Sequence, residues 1–377
     1  MTRSKSCRAH ELQGETTAGR MTHDIPTNKT SPMKLLRIIA ANLTVLLGLV
    51  LAAELIFGEW LGAHPLGQLA IARNVKVTIS ASPLYAGGGE FIYQRDAMGF
   101  RGSGVDPARI TILTLGGSTT NQLYLPEEAT WQAVLERTLR QTGRDAVVAN
   151  GGLDGQSTIG IIADLELWIP YVPHLKPRLV LIYVGINDVF VRDTWRDSLH
   201  VVRVGRELEQ RSALVRLWTI VAGSIRAHRA KLHHRPVDFS GAKWTDRPAP
   251  AGWPADRFLE ADLDVYKTRL VRVANLIERL GAVPVFITQT RSDYRLEHGR
   301  LIGIAKSEGP NGVDQGRALG RVNAATLETC RERHVVCLDL ATELHFADGD
   351  FYDFEHNTPQ GAEKIGHWLA GKLVGLI

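Results

Sequence analysis

Apolar residues follow two alternating rhythms along this chain. Short runs of β-favouring residues at 110–115, 146–149, 178–184, 283–288 and 335–340 end at glycines or polar clusters and predict buried strands. Between them, apolar residues recur at helical spacing: Trp131, Val134, Leu135 and Leu139 before Gly143, then Ile161, Ile162, Leu165, Trp168 and Ile169. Leu259, Leu263, Tyr266, Leu270, Val273 and Ile277 mark a longer helix closed by Gly281, and another is expected near 317–333. The last helix starts with Thr358 as N-cap and Pro359 in its first position. Strands alternating with helices at this spacing predict an α/β fold, with a mainly parallel sheet covered on both faces. Residues 195–231 read as helical, 233–256 as a linker rich in Pro, Trp and basic residues, and 291–315 as an irregular insertion. No internal repeat is visible.

The N-terminal region has a different pattern. Residues 38–57 are almost wholly apolar, about the twenty residues a helix needs to cross a bilayer, and Glu54 is their only charge. Arg3, Lys5, Arg8, Arg20, Lys29, Lys34 and Arg37 precede the run, whereas Glu54 and Glu59 dominate its far side. The positive-inside rule therefore predicts a single-pass anchor in the cytoplasmic membrane, with everything after Gly62 outside. A cleaved signal peptide is the alternative, but the run is longer than a signal core and lacks a clear small-x-small site. Residues 1–32 are polar and aperiodic and precede Met33, so they read as a disordered tail or as a start site set too early. With Pro65, Pro83 and Gly87-Gly88-Gly89, residues 62–105 read as a stalk and entry segment with at most one short strand. The expected organisation is a tail at 1–34, an anchor at 35–61, this stalk, and one domain at 106–377 with an insertion at about 195–256.

Composition adds little beyond exclusions. A 377-residue chain with 44% hydrophobic residues is not mainly disordered. Its 44 Lys+Arg exceed its 40 Asp+Glu only slightly, the excess is local to the tail and to 203–235, and no nucleic-acid motif is present. Three cysteines do not make a disulfide framework. Cys7 lies in the tail. Cys330 and Cys337 read as two separate buried thiols, to be bridged across a helix-to-strand turn only in an oxidising compartment. The sequence carries no signal of oligomeric state.

The candidate chemistry follows from the strand order. In open α/β sheets ligands bind at the carboxyl ends of the strands. The loops after strands one, two, three and five would gather Ser118, Gly155, Asn187, and Asp353 with His356 on one rim. Acyl transfer needs this set: a serine hydroxyl, an imidazole to take its proton, and a carboxylate to hold that imidazole in one tautomer. His356 would be the base and Asp353 its orienter. The oxyanion of the tetrahedral intermediate needs fixed donors, for which the backbone N–H groups of Ser118 and Gly155 and the side-chain amide of Asn187 are candidates. Each residue also has an ordinary reading as a cap, a turn former or a surface residue.

Competing motifs fail on single residues. An α/β-hydrolase elbow needs glycine where Thr120 stands, a dinucleotide turn needs its first glycine where Asn150 stands, and a P-loop needs Gly-Lys after the glycines. His228, His233 and His234 lack a carboxylate or cysteine at ligand spacing and read as a solvated basic face, so no metal and no cofactor are expected.

Four blocks resemble those of the SGNH (GDSL-type) hydrolases: Leu115-Gly116-Gly117-Ser118, Asn150-x-Gly152-x-x-Gly155, Gly185-Ile186-Asn187-Asp188 and Asp353-Phe354-Glu355-His356. The resemblance runs from about Asp96 to the C-terminus. It implies a flavodoxin-like doubly wound sheet in three α/β/α layers. It also implies Ser118 as nucleophile and oxyanion donor, Gly155 and Asn187 as further donors, and Asp353 and His356 as acid and base. Residues 96–102 and the stretch from His356 to Gly361 are similar to flanks in membrane-anchored bacterial members. Gly117 departs from the aspartate of the family name, and Thr119 from its leucine. The expected activity is hydrolysis of a short acyl ester, or transfer of its acyl group to a sugar hydroxyl as an O-acetyltransferase. The expected substrate is a small ester or an acylated glycan of the cell envelope, with acetyl as the first choice of acyl group. A lipase or thioesterase acting on longer chains, and a silent glycan-binding module, are the alternatives.

Overall fold

The computed structural model describes residues 32–58, 60, 69, 71–191, 211–215, 217, 218, 221, 222, 236–249, 255–307 and 309–377. The polar tail with Cys7, most of the helical expectation at 195–231, and His228, His233 and His234 lie outside the described residues. The chain divides into two compact units, Met1–Ala53 and Glu54–Ile377.

Most of helix α1 (Pro32–Phe57) belongs to the first unit. It is 26 residues long, with a mean hydropathy of 2.2 in its most apolar window and no buried residue. At 1.5 Å per residue it extends about 39 Å, enough to cross a bilayer. A signal sequence passes the same test of length and composition.

The second unit is built on five parallel strands: β3 (Ile112–Gly116), β4 (Val148–Asn150), β5 (Leu179–Tyr183), β7 (Val283–Ile287) and β10 (Val336–Leu338). They lie side by side as β4-β3-β5-β7-β10, with every pair parallel. Counted in chain order this is 2-1-3-4-5, the flavodoxin-like arrangement, whose switch point lies between β3 and β5.

Side chains alternate faces along a strand, so the sheet feeds two cores. Ile112, Leu179, Leu181, Val285 and Ile287 pack with helix α3 (Trp131–Gln141) and helix α7 (Pro359–Leu373). Leu113, Leu115, Val180, Ile182 and Phe286 pack on the other face, against α4 (Thr158–Leu167), α5 (Ala255–Arg279) and α6 (Gly312–Arg333). Trp131 and Trp168 are fully buried, one in each core. Truncating either to alanine removes about 3–5 kcal/mol by the usual cost of such cavities.

Four features differ from the sequence expectations. The described part of 62–105 is not a stalk: Leu69, Ile71 and Phe100 are buried in the main core. It also holds an antiparallel pair, β1 (Val75–Ser80) with β2 (Glu90–Arg95), where at most one strand was expected. The 291–315 stretch forms a hairpin, β8 (Tyr294–Glu297) and β9 (Arg300–Ile304), which β6 (Trp244–Thr245) from the 233–256 linker joins as a third strand. Helix α6 starts before the predicted 317 because Asn311 and Asp314 form a reciprocal capping box. Finally, Cys330 and Cys337 form a disulfide with their Cα atoms 6.0 Å apart, not two separate thiols. The helix end and the following strand bring the two residues within bridging distance, which spacing alone left open.

Candidate active site

Strand β3 ends at Gly116, and Gly117 is the N-cap of a one-turn helix α2 (Ser118–Asn121). Ser118 thus occupies the first helical position beside the switch point. Four residues are too few for a helix to stand by itself, so neighbouring side chains must hold this turn. Trp131 Nε1 donates to the Thr119 carbonyl at 3.1 Å and Gln132 Nε2 to that of Thr120 at 2.8 Å. The Arg101 guanidinium donates to the carbonyls of Asn121, Gln122 and Leu125, including 2.6 Å to Gln122. Burial lowers Arg101 to about 10, which still leaves it charged at neutral pH. Arg95 donates to Asn121 Oδ1 at 3.2 Å and to the carbonyls of Gly99 and Gly152.

His356 Nε2 lies 2.7 Å from Ser118 Oγ. On the far side of the ring, Nδ1 lies 2.9 and 2.8 Å from the two carboxylate oxygens of Asp353. The loop between them is closed by its own backbone, because the N–H groups of Glu355 and His356 both donate to Asp353 Oδ1, at 2.9 and 2.7 Å. Tyr352 stacks on the His356 ring, with 5.7 Å between centroids and 12° between planes. Tyr85 and Tyr124 pack on Tyr352 in turn. Burial disfavours the charged form of His356, but the hydrogen bond and charge of Asp353, with Glu355 and Asp154 adding to them, outweigh it and raise its pKa above the ordinary histidine value.

The remaining expected residues come from two adjacent loops. Gly155 is exposed on the turn between β4 and α4, with φ +75, a conformation glycine adopts without strain. Asn187 follows β5, and its Nδ2 donates to the Gln156 carbonyl at 2.7 Å, leaving a second N–H on the amide. The Asn187 amide also explains Gly117: a Cβ there would strike Asn187 Nδ2 and come within 3.1 Å of the Gln156 carbonyl. Asp188, buried beneath, accepts from Thr158 Oγ1 at 2.6 Å and from Arg269 at 3.3 Å, tying the Asn187 loop to the start of α4.

Sequence reading missed Gln289, at the end of β7. Its Nε2 donates to Thr119 Oγ1 at 2.9 Å, and its Oε1 accepts the Ile186 N–H at 2.7 Å. One buried amide therefore links the turn carrying Ser118 to the loop carrying Asn187. The only sequence signal was its place at a strand's carboxyl end, which no motif marked. Arg95 and Arg101 lie in or beside the flanking segment noted at 96–102, but their task of holding carbonyls was not legible. No group of three or more His, Cys, Asp or Glu fit to hold a metal occurs among the described residues.

A 2-1-3-4-5 parallel sheet with a Ser–His–Asp chain of hydrogen bonds at its switch point defines a class of flavodoxin-like α/β proteins built for a serine at the rim. Residues 114–364 match the model of the GDSL-like Lipase/Acylhydrolase family, and the chain belongs to that family. An arylesterase of Vibrio mimicus is 33% identical over 86 residues, 23% of this chain and 42% of that protein, so the match spans less than half of the relative's length. Among solved structures, Est24, a carbohydrate acetylesterase from Sinorhizobium meliloti, is similar at 11% identity and a TM-score of 0.38, covering 71% of this chain and 100% of that one. A catalytic mutant of Axe2, an acetylxylan esterase from Geobacillus stearothermophilus, is similar at 13% identity and a TM-score of 0.40, covering 70% and 93%.

Proposed function

We propose that this protein is a serine ester hydrolase that removes a short acyl group, acetyl first, from a cell-envelope glycan. The observation that carries the reading is the 2.7 Å contact between Ser118 Oγ and His356 Nε2, with Asp353 on the other ring nitrogen. Ser118 Oγ attacks the acyl carbonyl carbon while His356 Nε2 takes its proton, and the Asp353 carboxylate stabilises the imidazolium. The oxyanion is met by the N–H groups of Ser118 and Gly155 and by the Asn187 amide. Collapse breaks the ester bond, and the leaving alcohol takes the proton from His356. Water, deprotonated by His356, then attacks the acyl-enzyme, releasing the acid and restoring the serine. No metal or cofactor enters these steps.

The substrate class is the outer part of the proposal. Half-buried Tyr85 and Tyr124 beside Tyr352 give the histidine side of the rim amphipathic aromatic rings, which suit a sugar more than a bare alkyl chain. The apolar helix α1 and the cationic residues before it support a single-pass anchor in the cytoplasmic membrane, with the catalytic unit on the outer side, where envelope glycans lie.

Hydrolysis of aryl esters by the purified full chain tests both parts. Ser118→Ala and His356→Ala should each abolish turnover, and the double variant should be hardly worse, since nucleophile and base act as a unit. Turnover by Ser118→Ala equal to wild type rejects the assignment. Among wild-type substrates, kcat/KM should fall steeply from acetate to octanoate. A rise with chain length rejects the glycan reading in favour of a lipase or thioesterase.

A further inference from the structure

Besides Gln289, the loop after β7 carries a buried guanidinium. Arg291 is 7% exposed, and its Nε and Nη2 each donate to the fully buried Asp293 carboxylate at 2.9 Å. Its Nη1 donates to Glu355, the residue between Phe354 and His356. The next residue continues the attachment. Ser292 N–H donates to the Phe354 carbonyl at 3.0 Å, and Ser292 Oγ to the Asp353 carbonyl at 2.9 Å. Behind it, the Asp293 carbonyl accepts the Ile304 N–H at 2.8 Å, so the β8–β9 hairpin backs the clamp.

Three carboxylates act on the His356 ring, namely Asp353 in direct contact, Glu355 and Asp154. Tyr352 and Ser118, which also touch the ring, are neutral. Asp353 has an assigned task, and Asp154 is held by Asn121 Nδ2 at 2.8 Å. Glu355 is the carboxylate that Arg291 holds. A buried cation already matched by Asp293 does not need Glu355 for its own neutrality, so the third contact serves the loop.

We propose that Arg291 is a positioning residue for the acid–base pair: anchored by Asp293, it ties down Glu355 and thereby sets the placement of the His356 ring against Ser118 and the net charge around that ring. The proposal rests on the reading of His356 as general base. Removing the guanidinium frees the loop and leaves the Glu355 charge uncompensated, which favours imidazolium. Removing the Glu355 charge while Arg291 remains does the opposite.

The test is kcat/KM against pH for an aryl acetate, with the full chain in detergent, comparing wild type, Arg291→Gln, Arg291→Lys and Glu355→Gln. Arg291→Gln should lose about a hundredfold at the plateau, the scale expected when a catalytic group is misplaced by about an ångström, and its acid limb should move to higher pH. Glu355→Gln should move the limb to lower pH with a smaller loss. Arg291→Lys should return the limb to its wild-type position without full rate, because an ammonium cannot make the two-pronged contact. Loss of rate in Arg291→Gln and Glu355→Gln with an unmoved limb overturns the proposal. If Arg291→Gln does not fold, Glu355→Gln decides alone, and an unmoved limb again overturns it. Absence of any Ser118-dependent turnover in wild type would instead remove the reading beneath it, and the Ser118→Ala control separates the two failures.

Discussion

At the residue scale, the proposed chemistry depends on which form of His356 the surroundings favour. Burial opposes the charged ring, but Asp353, Glu355 and Asp154 together raise its pKa above the ordinary histidine value. A general base must be neutral, so activity should fall as pH drops through that raised value. The acid limb of kcat/KM is therefore expected above the ordinary histidine range, and a midpoint at or below it would contradict this. The stability effect has the opposite sign. A raised folded-state pKa adds stability that is full below the unfolded value and is lost as pH rises through the folded one. Denaturation midpoints should show this contribution only on the acid side, where turnover is lowest. Gly117 gives a second prediction at this scale. Gly117→Ala drives a Cβ into the Asn187 amide, so kcat should fall a hundred- to a thousandfold, as when one oxyanion donor is lost. Tm should change little. Unchanged kcat would exclude Asn187 as a donor.

Elements in this fold are short where the proposed chemistry lies and long where the core lies. Helix α2 has four residues and is held by Arg101, Arg95, Trp131, Gln132 and Gln289, which come from three separate stretches of the chain. Its threonines look like ordinary capping residues in sequence, because the groups that hold them are 12 to 170 residues away. The 22-residue α6 is fixed differently, through a capping box at its start and the Cys330–Cys337 bridge to β10 at its end. With a separation of 7 residues, the bridge closes a short loop and should contribute about 2 kcal/mol. Replacing both cysteines with serine should lower stability by about that amount in chemical denaturation while leaving Ser118-dependent turnover intact. Equal reactivity of both thiols toward maleimide in unreduced, unfolded protein would show that the bridge does not form.

At the scale of the whole molecule, an apolar helix near the N-terminus and an α/β unit that needs no cofactor for the proposed chemistry meet in one chain. The seven basic residues before the apolar run predict that the unit after Gly62 lies outside the cytoplasmic membrane. A reporter active only in the cytoplasm, fused after Ile377, should then be silent, and an active fusion would reverse the orientation. An external location also suits the disulfide, since bridges persist in oxidising compartments.

Local patterns sufficed for the strands and helices of the main sheet, because period-two and period-3.6 burial are written directly into the order of residues. That Ser118, Asp353 and His356 meet on one rim was legible for a related reason. Parallel strands place their carboxyl-end loops on one rim, and acyl transfer needs few residue types there. Tertiary structure alone decided the bridging of Cys330 and Cys337, the hairpin β8–β9, and the packing of Leu69, Ile71 and Phe100 into the core. It alone decided the supporting residues as well. Gln289, Arg291, Arg95 and Arg101 donate to Thr119, Glu355, Gly152 and Gln122, groups far away in sequence, and a hydrogen bond between distant residues leaves no periodicity or spacing to read.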